Sequence, residues 1–154
     1  MQTEAKTTFR PAEMGDAALV RGIVWAAYSR WVAVIGREPL PMSADYGKAI
    51  LARSVTLLAV DATCVGLIET YAHSDYFWIE NVAVQPEEQG KGYGRLLLGH
   101  ADGLARAAGL GQVRLLTNEA FASNIALYSK AGYTVDRTEL FMGGTTVHMS
   151  KRVA

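Results

Sequence analysis

The sequence predicts a mixed α/β fold in a single domain spanning residues 1–154, and three observations support this prediction. The chain has 154 residues, of which 50% are hydrophobic and 19% charged, as is typical of one globular domain. Apolar residues recur with helical spacing in some segments and form short β-branched runs in others. The predicted order is one strand, helices, three consecutive strands and then alternating helices and strands, which fits neither a pure Rossmann fold nor a pure sandwich.

The first half is predicted to contain a strand, two helices and three strands, at residues 7–10, 16–31, 44–53, 55–60, 64–73 and 76–84. Pro11 ends the first strand, and Asp16 can cap the first helix. An apolar face on this helix is indicated by spacings of four, three and four residues between Val20, Val24, Ala27 and Trp31.

The second half is predicted to contain a helix ending near residue 108, a strand at 113–117, a helix at 123–130 and strands at 133–136 and 140–149. The long helix should bury Leu97, Ala101, Leu104 and Ala108 and expose Arg95, Gly99, Asp102 and Arg106. Asp102 and Arg106 have the spacing of a helical ion pair. We expect Ser123 to cap the short helix and Gly132 to end it.

The charge balance argues against several classes of protein. Fifteen basic residues balance fifteen acidic ones, whereas a dedicated nucleic-acid or acidic-membrane binder needs a basic surplus. Cys64 is the only cysteine, so no intrachain disulfide is expected, and a zinc cluster or other metal site is not expected either. With no apolar run near ~20 residues and no apolar leader, we expect a cytoplasmic protein that does not interact with membranes.

The segment with the clearest chemical meaning is Gln89-Gly90-Lys91-Gly92-Tyr93-Gly94, between a predicted strand and a helix. Glycines let the backbone approach a ligand, and the first N–H groups of a helix are unpaired and lie at the positive end of its dipole. The segment therefore favours phosphate binding, with Lys91, Arg95 and Gln89 as further donors. The glycine spacing matches neither a P-loop nor the Rossmann fingerprint. The plainer interpretation is a glycine-rich turn that leads into a core helix.

Two motifs in this half resemble the GNAT superfamily of N-acetyltransferases. Gln89, Gly92 and Gly94 match the family's coenzyme A pyrophosphate loop. The segment from Asn124 to Tyr133, with Tyr128 and Lys130-Ala131-Gly132, resembles its second motif. The order of predicted elements agrees with the family along nearly the whole chain, and the resemblance is weakest between residues 15 and 53.

The resemblance implies a mostly antiparallel sheet of about seven strands, flanked by about four helices and splayed between the fourth and fifth strands. Acetyl-coenzyme A would lie in the splay, with its pantetheine paired to the backbone of Val82, Ala83 and Val84. Its pyrophosphate would meet the amides from Gly90 to Gly94, which include that of Tyr93. By analogy, Asn124 contacts the pantetheine, and Tyr128 points at the thioester sulfur.

Candidates for the general base that would deprotonate an amine acceptor lie on the predicted hairpin around Ser74 and Asp75. A two-residue turn there would place His73 opposite Tyr76, Tyr71 opposite Trp78, and Glu69 opposite Glu80. Two facing carboxylates repel each other, so one of them should have a raised pKa. Glu80, which also matches a position where the family often has a glutamate, is the first candidate, followed by Glu69 and then His73. Cys64 has no evident base partner, which argues against a covalent mechanism.

The acceptor is not identified by the sequence. Aromatic and cationic candidates for its cleft are Tyr28, Arg30, Trp31, Arg37, Tyr71, His73, Tyr76 and Trp78. A small-molecule amine is the first expectation, with a protein N-terminus or lysine as alternatives. Direct attack in a ternary complex is the predicted mechanism, and the alternatives are a non-catalytic acyl-coenzyme A sensor or a nucleotide-phosphate binder. Homodimers are common in the family, but no segment here requires one.

Overall fold

A seven-stranded mixed sheet lies at the centre of the computed structural model, which describes residues 6–153. Its strands are β1 (Thr7–Pro11), β2 (Val55–Val60), β3 (Thr63–Ala72), β4 (Phe77–Val84), β5 (Gln112–Asn118), β6 (Thr134–Phe141) and β7 (Gly144–Arg152). Their spatial order is β1-β2-β3-β4-β5-β7-β6, and all neighbours are antiparallel except β4 and β5. The predicted fold class is confirmed.

Helices cover both faces of the sheet: α1 (Ala17–Tyr28), the single turn α2 (Val32–Ile35), α3 (Tyr46–Leu51), α4 (Tyr93–Ala107) and α5 (Ala122–Lys130). One core cluster joins α1 and α3 to β2, β3 and β4, and the other joins α4 and α5 to the opposite face. The predicted face of α1 is buried at Val20, Val24 and Ala27, whereas Trp31 is only half-buried and stacks on Phe121.

The splay between β4 and β5 is the feature that creates the site. The two strands pair only at Phe77 with Val113 and at Trp78 with Arg114. Beyond these pairs β4 continues to Val84 and β5 to Asn118 without pairing to each other. The remaining length of β4 therefore leaves main-chain groups available on one side, as the sequence analysis expected.

Helix α4 contradicts part of its predicted pattern. Asp102 is buried rather than exposed, and its Oδ2 accepts a hydrogen bond from Lys151 Nζ of β7 at 2.6 Å. Ala108, expected inside, is exposed at the helix end, and Ala105 is buried instead. An aspartate can occupy the inner face of α4 because a lysine on the sheet neutralises it, a long-range pairing that helical spacing does not reveal.

Three local predictions about caps and turns are wrong. Asp16 precedes α1 but bonds Arg10 and the Glu13 amide instead of capping the helix. Ser123 lies inside α5, where its Oγ accepts a hydrogen bond from Arg30 Nη2 at 3.1 Å. The last two strands turn at Met142–Gly143, not at 137–139, because these two residues adopt positive φ angles of 49° and 80°.

One helical segment, Met14–Ile35, has the length and apolar character of a membrane span, with mean hydropathy 1.3, contrary to the expectation that no such run occurs. It consists of α1, α2 and short 3₁₀ turns, and 28% of the window is buried within the structure. Val20, Ile23 and Val24 from this segment pack in the core against the sheet. Core helices pass the same test of length and composition, so the segment is weak evidence of a membrane span.

Candidate active site

A cleft of about 330 Å³ opens where β4 separates from β5. Its walls are the end of β4, the glycine-rich loop, the start of α5 and the end of α1. The residues predicted to bind the cofactor that line it are Val82, Ala83, Val84, Gln89, Gly90, Gly92, Tyr93, Gly94, Arg95, Asn124 and Tyr128. The fold therefore brings together nearly all of the predicted cofactor-binding residues around one cavity.

The glycine-rich loop presents main-chain N–H groups to this cleft. Gly90 and Gly92 have φ angles of 80° and 89°, which a residue with a side chain adopts only at a cost. Within the described part of the chain, no acceptor is found for the amides of Gly90, Lys91 and Gly92, and those of the first turn of α4 have no partner in the helix. This arrangement suits an anion such as a diphosphate.

Gly94 has a different purpose from the two glycines before it. A Cβ atom at this position would lie 2.9 Å from Leu127 Cδ2, so the glycine allows α4 and α5 to pack closely. The two motifs noted in the sequence thus meet in space at Gly94 and Leu127, and they form opposite walls of the same cleft.

The side chains expected to supply donors at this loop are arranged differently from the prediction. Gln89 Nε2 donates to the carbonyl oxygen of Val84 at 3.1 Å, so it holds the loop to β4. Lys91 is paired with Glu88 Oε2 at 3.0 Å and does not line the cleft. The cations that do line it are Arg95 and Arg30, the latter placed above the Trp31 ring at 4.5 Å. Arg30 was expected in the acceptor cleft instead.

Tyr128 lies at the boundary between two clefts. Together with Tyr28 and Val82 it also lines a second cleft of about 240 Å³, which we call the acceptor cleft. Burial raises the pKa of Tyr128 to about 12. Among the described residues its hydroxyl has no hydrogen-bond partner, although its ring packs edge-on against Tyr133. A protonated hydroxyl is therefore available where the two clefts meet.

The predicted pairing of Glu69 with Glu80 is wrong. A bulge in β4 places Asn81 opposite Glu69 and Ile79 opposite Thr70, so Glu80 is the extra residue. The Tyr71–Trp78 pair is as predicted, and His73 N donates to the Tyr76 carbonyl. The hairpin turn was thus predicted correctly, but the bulge shifts the register beyond it.

Both carboxylates nevertheless line the acceptor cleft. Glu69 is buried, and its Oε2 accepts a hydrogen bond from Tyr71 Oη at 2.6 Å. Burial is the main reason that the pKa of Glu69 is raised, and the nearby charge of Glu80 raises it further, whereas the Tyr71 bond lowers it. Glu80 is exposed and accepts a hydrogen bond from Trp78 Nε1.

Several residues predicted to bind the acceptor lie elsewhere. Trp31 lines the cleft of about 330 Å³ beside the glycine-rich loop, which we call the cofactor cleft, and Tyr71 donates its hydroxyl hydrogen to Glu69. His73 is exposed and stacks on Tyr76, and Trp78 faces a separate groove that includes Arg114. Of the predicted set, Tyr28 and Arg37 line the acceptor cleft.

A buried chain of hydrogen bonds, which was not predicted from the sequence, lies beside the acceptor cleft. Tyr28 Oη donates to Asn81 Oδ1 at 2.7 Å, Asn81 Nδ2 donates to Tyr46 Oη at 3.1 Å, and Tyr46 Oη donates to the Pro41 carbonyl at 2.6 Å. The chain fixes α1, α3 and the preceding loop to the bulge in β4. An asparagine within an apolar strand was the available sequence signal, because a buried amide needs partners.

A family model matches the part of the chain that forms most of the cofactor cleft. The sequence profile described as the acetyltransferase (GNAT) domain matches residues 52–135, more than half of the chain. The chain belongs to the GNAT acetyltransferase family. The matched region includes β4 with its bulge, the glycine-rich loop and α5, so the resemblance noted in the sequence is confirmed. No curated protein matches this GNAT chain in a sequence search.

Solved structures share the GNAT fold along nearly the full length. The PaiA N-acetyltransferase of Thermoplasma acidophilum, in complex with coenzyme A, has a TM-score of 0.82 at 17% identity and covers 96% of this chain and 99% of its own. The ribosomal-protein-S18-alanine N-acetyltransferase of Escherichia coli has a TM-score of 0.74 at 18% identity, with 97% and 95% covered. The putative acetyltransferase YncA of Salmonella typhimurium, with acetyl-CoA, has a TM-score of 0.72 at 19% identity and the same coverage.

Proposed function

We propose that this GNAT acetyltransferase moves an acetyl group from acetyl-coenzyme A to a primary amine, by direct attack within a ternary complex. The observation that carries the proposal is that two clefts meet at Tyr128, one lined by an anion-binding loop and the other by carboxylates. The neighbours solved with coenzyme A and acetyl-CoA support the choice of cofactor.

The fit of the cofactor rests on loop amides that have no acceptor among the described residues, and on a length of β4 that does not pair with β5. On that edge the Val82 and Val84 carbonyls accept side-chain hydrogen bonds from Tyr28 and Gln89. The amides of Gly90 to Gly92 and the first turn of α4 match a diphosphate, and the unpaired edge of β4 at Val82 to Val84 matches an amide-bearing arm. Arg95 and Arg30 add positive charge beside the loop, and Asn124 offers an amide on the same face of α5 as Tyr128. When bound, acetyl-coenzyme A supplies an activated acyl group.

The carboxylates supply the base. A lysine-like amine has a pKa of about 10.4, so reaching its neutral form at pH 7 costs roughly 4–5 kcal/mol. Glu69 is the better candidate because its pKa is raised, and a base is most effective when its pKa approaches the working pH. Glu80, the first candidate from sequence, raises that pKa through its charge. We therefore assign the proton acceptor to Glu69, directly or through water.

Two further groups act on the acyl transfer itself. A main-chain N–H near Val84 donates to the oxygen on which negative charge develops, and losing such a donor in other enzymes costs about 3–4 kcal/mol. Tyr128 donates its proton to the departing sulfur. Since a thiol resembling cysteine has a pKa near 8.5, this proton transfer helps without being essential. Holding both substrates close together contributes more than either step alone.

The proposal is tested by a thiol-release assay with acetyl-coenzyme A over a panel of primary amines. Thiol release that depends on amine, together with cofactor binding by calorimetry, is the expected result. Cofactor binding without release for any amine would point to a non-catalytic acyl-coenzyme A module. If ATP stabilises the protein against heat as well as acetyl-coenzyme A does, the loop instead binds nucleotide phosphates in general.

A further inference from the structure

A half-buried arginine without an ion-pair partner lies at one end of the acceptor cleft. Arg37 follows α2; its guanidinium lies 5.9 Å from the centre of the Phe141 ring, and its Nη1 donates to the Glu38 carbonyl at 3.3 Å. In the part of the chain that the structure describes, no carboxylate lies within ion-pair distance of it. Arg10, by contrast, is paired with Asp16 at 2.8 Å.

The position of Arg37 relative to the cofactor follows from the residues that neighbouring cavities share. Tyr28, Val82 and Tyr128 line both the acceptor cleft and the cofactor cleft. Ile35, Arg37 and Asn118 line both the acceptor cleft and a third groove beside the β6–β7 turn. The acceptor cleft therefore lies between the two other cavities, with Arg37 at the end away from the cofactor.

Opposite charge lies nearer the cofactor. Glu69 is paired in the sheet with Asn81, whose side chain accepts a hydrogen bond from Tyr28 at the junction of the clefts. Glu69 and Glu80 accept hydrogen bonds from the neutral groups of Tyr71 and Trp78, and neither forms an ion pair with a described residue. The cleft thus has unpaired negative charge at one end and unpaired positive charge at the other.

The walls between the charged ends are largely apolar. They include Ile35, Leu40, Leu116, Phe121 and Phe141. Leu40, Leu116 and Phe141 are 56%, 47% and 44% exposed, so a ligand in the cleft would remove apolar surface from water. A molecule with several positive charges would find no matching carboxylate along these walls, and Arg37 would repel it.

We propose that the acceptor is zwitterionic, with a primary amine and a carboxylate at opposite ends of an apolar body, as in an apolar dipeptide. The amine lies toward Glu69 and Glu80, and the apolar body follows the walls. The Arg37 fork binds the carboxylate with two parallel hydrogen bonds, which a guanidinium forms better than an ammonium. This inference rests on the proposed function, because it assigns the acceptor of that reaction.

The test compares L-leucyl-L-leucine with its C-terminal amide, which has the same amine and the same apolar body. Binding of each to the protein saturated with coenzyme A is measured by calorimetry, and thiol release by each is measured with acetyl-coenzyme A. We expect the acid to bind at least about tenfold more tightly than the amide, as suits a charge-assisted bond, and to have a correspondingly higher kcat/KM. Arg37→Gln should bring the acid-to-amide ratio close to one, and Arg37→Lys should retain part of it.

Arg21→Gln is the matched control, since Arg21 is exposed on α1 and lines none of the three cavities. It should leave the acid-to-amide ratio unchanged. Equal binding of acid and amide to the parent protein, no binding of either, or an equal loss of both in Arg37→Gln would overturn the inference. Because binding is measured without turnover, a preference for the acid with no thiol release from it or from any amine of the panel contradicts the proposed function and leaves the zwitterion site standing.

Discussion

At the residue scale, the surroundings of Tyr128 decide its protonation state. Burial raises its pKa to about 12, so the hydroxyl stays protonated throughout neutral and mildly alkaline solution. We expect Tyr128→Phe to lower kcat by about 100-fold, the low end of what a positioned acid contributes, while cofactor affinity stays unchanged. The measurement is steady-state thiol release together with calorimetry.

Tyr133→Phe is the control for this substitution. Tyr133 packs edge-on against Tyr128, and its buried hydroxyl has no partner in residues 6–153, so removing that hydroxyl should leave both kcat and stability unchanged. A Tyr128→Phe protein with the kcat of the parent would show that another group, or water, protonates the leaving sulfur.

The two carboxylates make a prediction about pH. Burial and the charge of Glu80 raise the pKa of Glu69, so a reaction that needs ionised Glu69 gains rate as pH rises through that pKa. Glu80→Gln removes the charge and lowers the pKa of Glu69. The rise of kcat with pH, the acid limb of the profile, should therefore move to lower pH, with little loss in the maximal kcat at the plateau. Glu69→Gln should lower the plateau itself by about 100-fold. The pH dependence of kcat for both variants is the measurement.

An acid limb that stays in place in Glu80→Gln, with a plateau that falls, would reverse the assignment and make Glu80 the base. That outcome would restore the choice made from sequence. The difference between the two assignments depends on the bulge in β4, which removes Glu80 from direct pairing with Glu69.

At the element scale, the start of α4 combines phosphate binding with helix packing. Gly92 has a φ of 89°, so Gly92→Ala should cost about 1–2 kcal/mol of unfolding free energy and also disturb the loop amides. Gly99 in the same helix has open space around its Cβ position and ordinary φ, so Gly99→Ala should stabilise the protein by up to about 1 kcal/mol.

Urea unfolding and coenzyme A calorimetry check this pair of variants. Only Gly92→Ala should weaken coenzyme A binding, because only this glycine lies beside the loop amides. Equal coenzyme A affinity in both variants would mean that these amides do not hold the pyrophosphate.

The elements also show what local sequence can and cannot predict. The glycine-rich loop was predictable because its phosphate-binding geometry depends on a few consecutive residues. The bulge that separates Glu80 from Glu69 was not, because it depends on how Asn81 bonds to Tyr28 and Tyr46 from distant elements. The predicted position of the β6–β7 turn was wrong because Met142 adopts a positive φ, which is uncommon for methionine and cannot be predicted from the residue type.

At the scale of the whole molecule, an ion pair between Asp102 and Lys151 joins α4 to the last strand. Their side chains are only 9% and 23% exposed, and Asp102 Oδ1 has no hydrogen-bond partner among the described residues. Lys151→Met should therefore destabilise the protein by about 3 kcal/mol, because it leaves a buried carboxylate unpaired. Combining it with Asp102→Leu should recover much of this loss.

Arg137→Met provides the comparison, since the Arg137–Glu139 pair is 61% and 48% exposed and should contribute at most about 1 kcal/mol. Thermal or urea unfolding of the four proteins, including the double variant, gives the values. A similar small loss for Lys151→Met and Arg137→Met would mean that water reaches Asp102 and solvates it.

Sequence reasoning predicted the overall sheet and the cofactor cleft but not the shape of the acceptor cleft. The cofactor cleft is built mainly from two motifs and one strand end within residues 82–128, to which the end of α1 and the turn after it add Ala27, Tyr28, Arg30 and Trp31. The acceptor cleft draws residues from both ends of the chain, including Tyr46 from α3 and Phe141 from β6. Contacts between such distant segments depend on the packed fold, which explains why the sequence alone placed in the acceptor cleft four residues that do not line it: Trp31, Tyr71, His73 and Trp78.

The short contact between β4 and β5 has a mechanical consequence. Within the described residues, two residue pairs at one end form the strand pairing between the half of the sheet made by β1 to β4 and the half made by β5 to β7. The pantetheine of coenzyme A, bound along Val82 to Val84, would pair with β4 as a further strand does. It would also fill the V-shaped opening and so connect the two halves of the sheet. Coenzyme A would then serve as part of the scaffold, and heat resistance should rise with its occupancy.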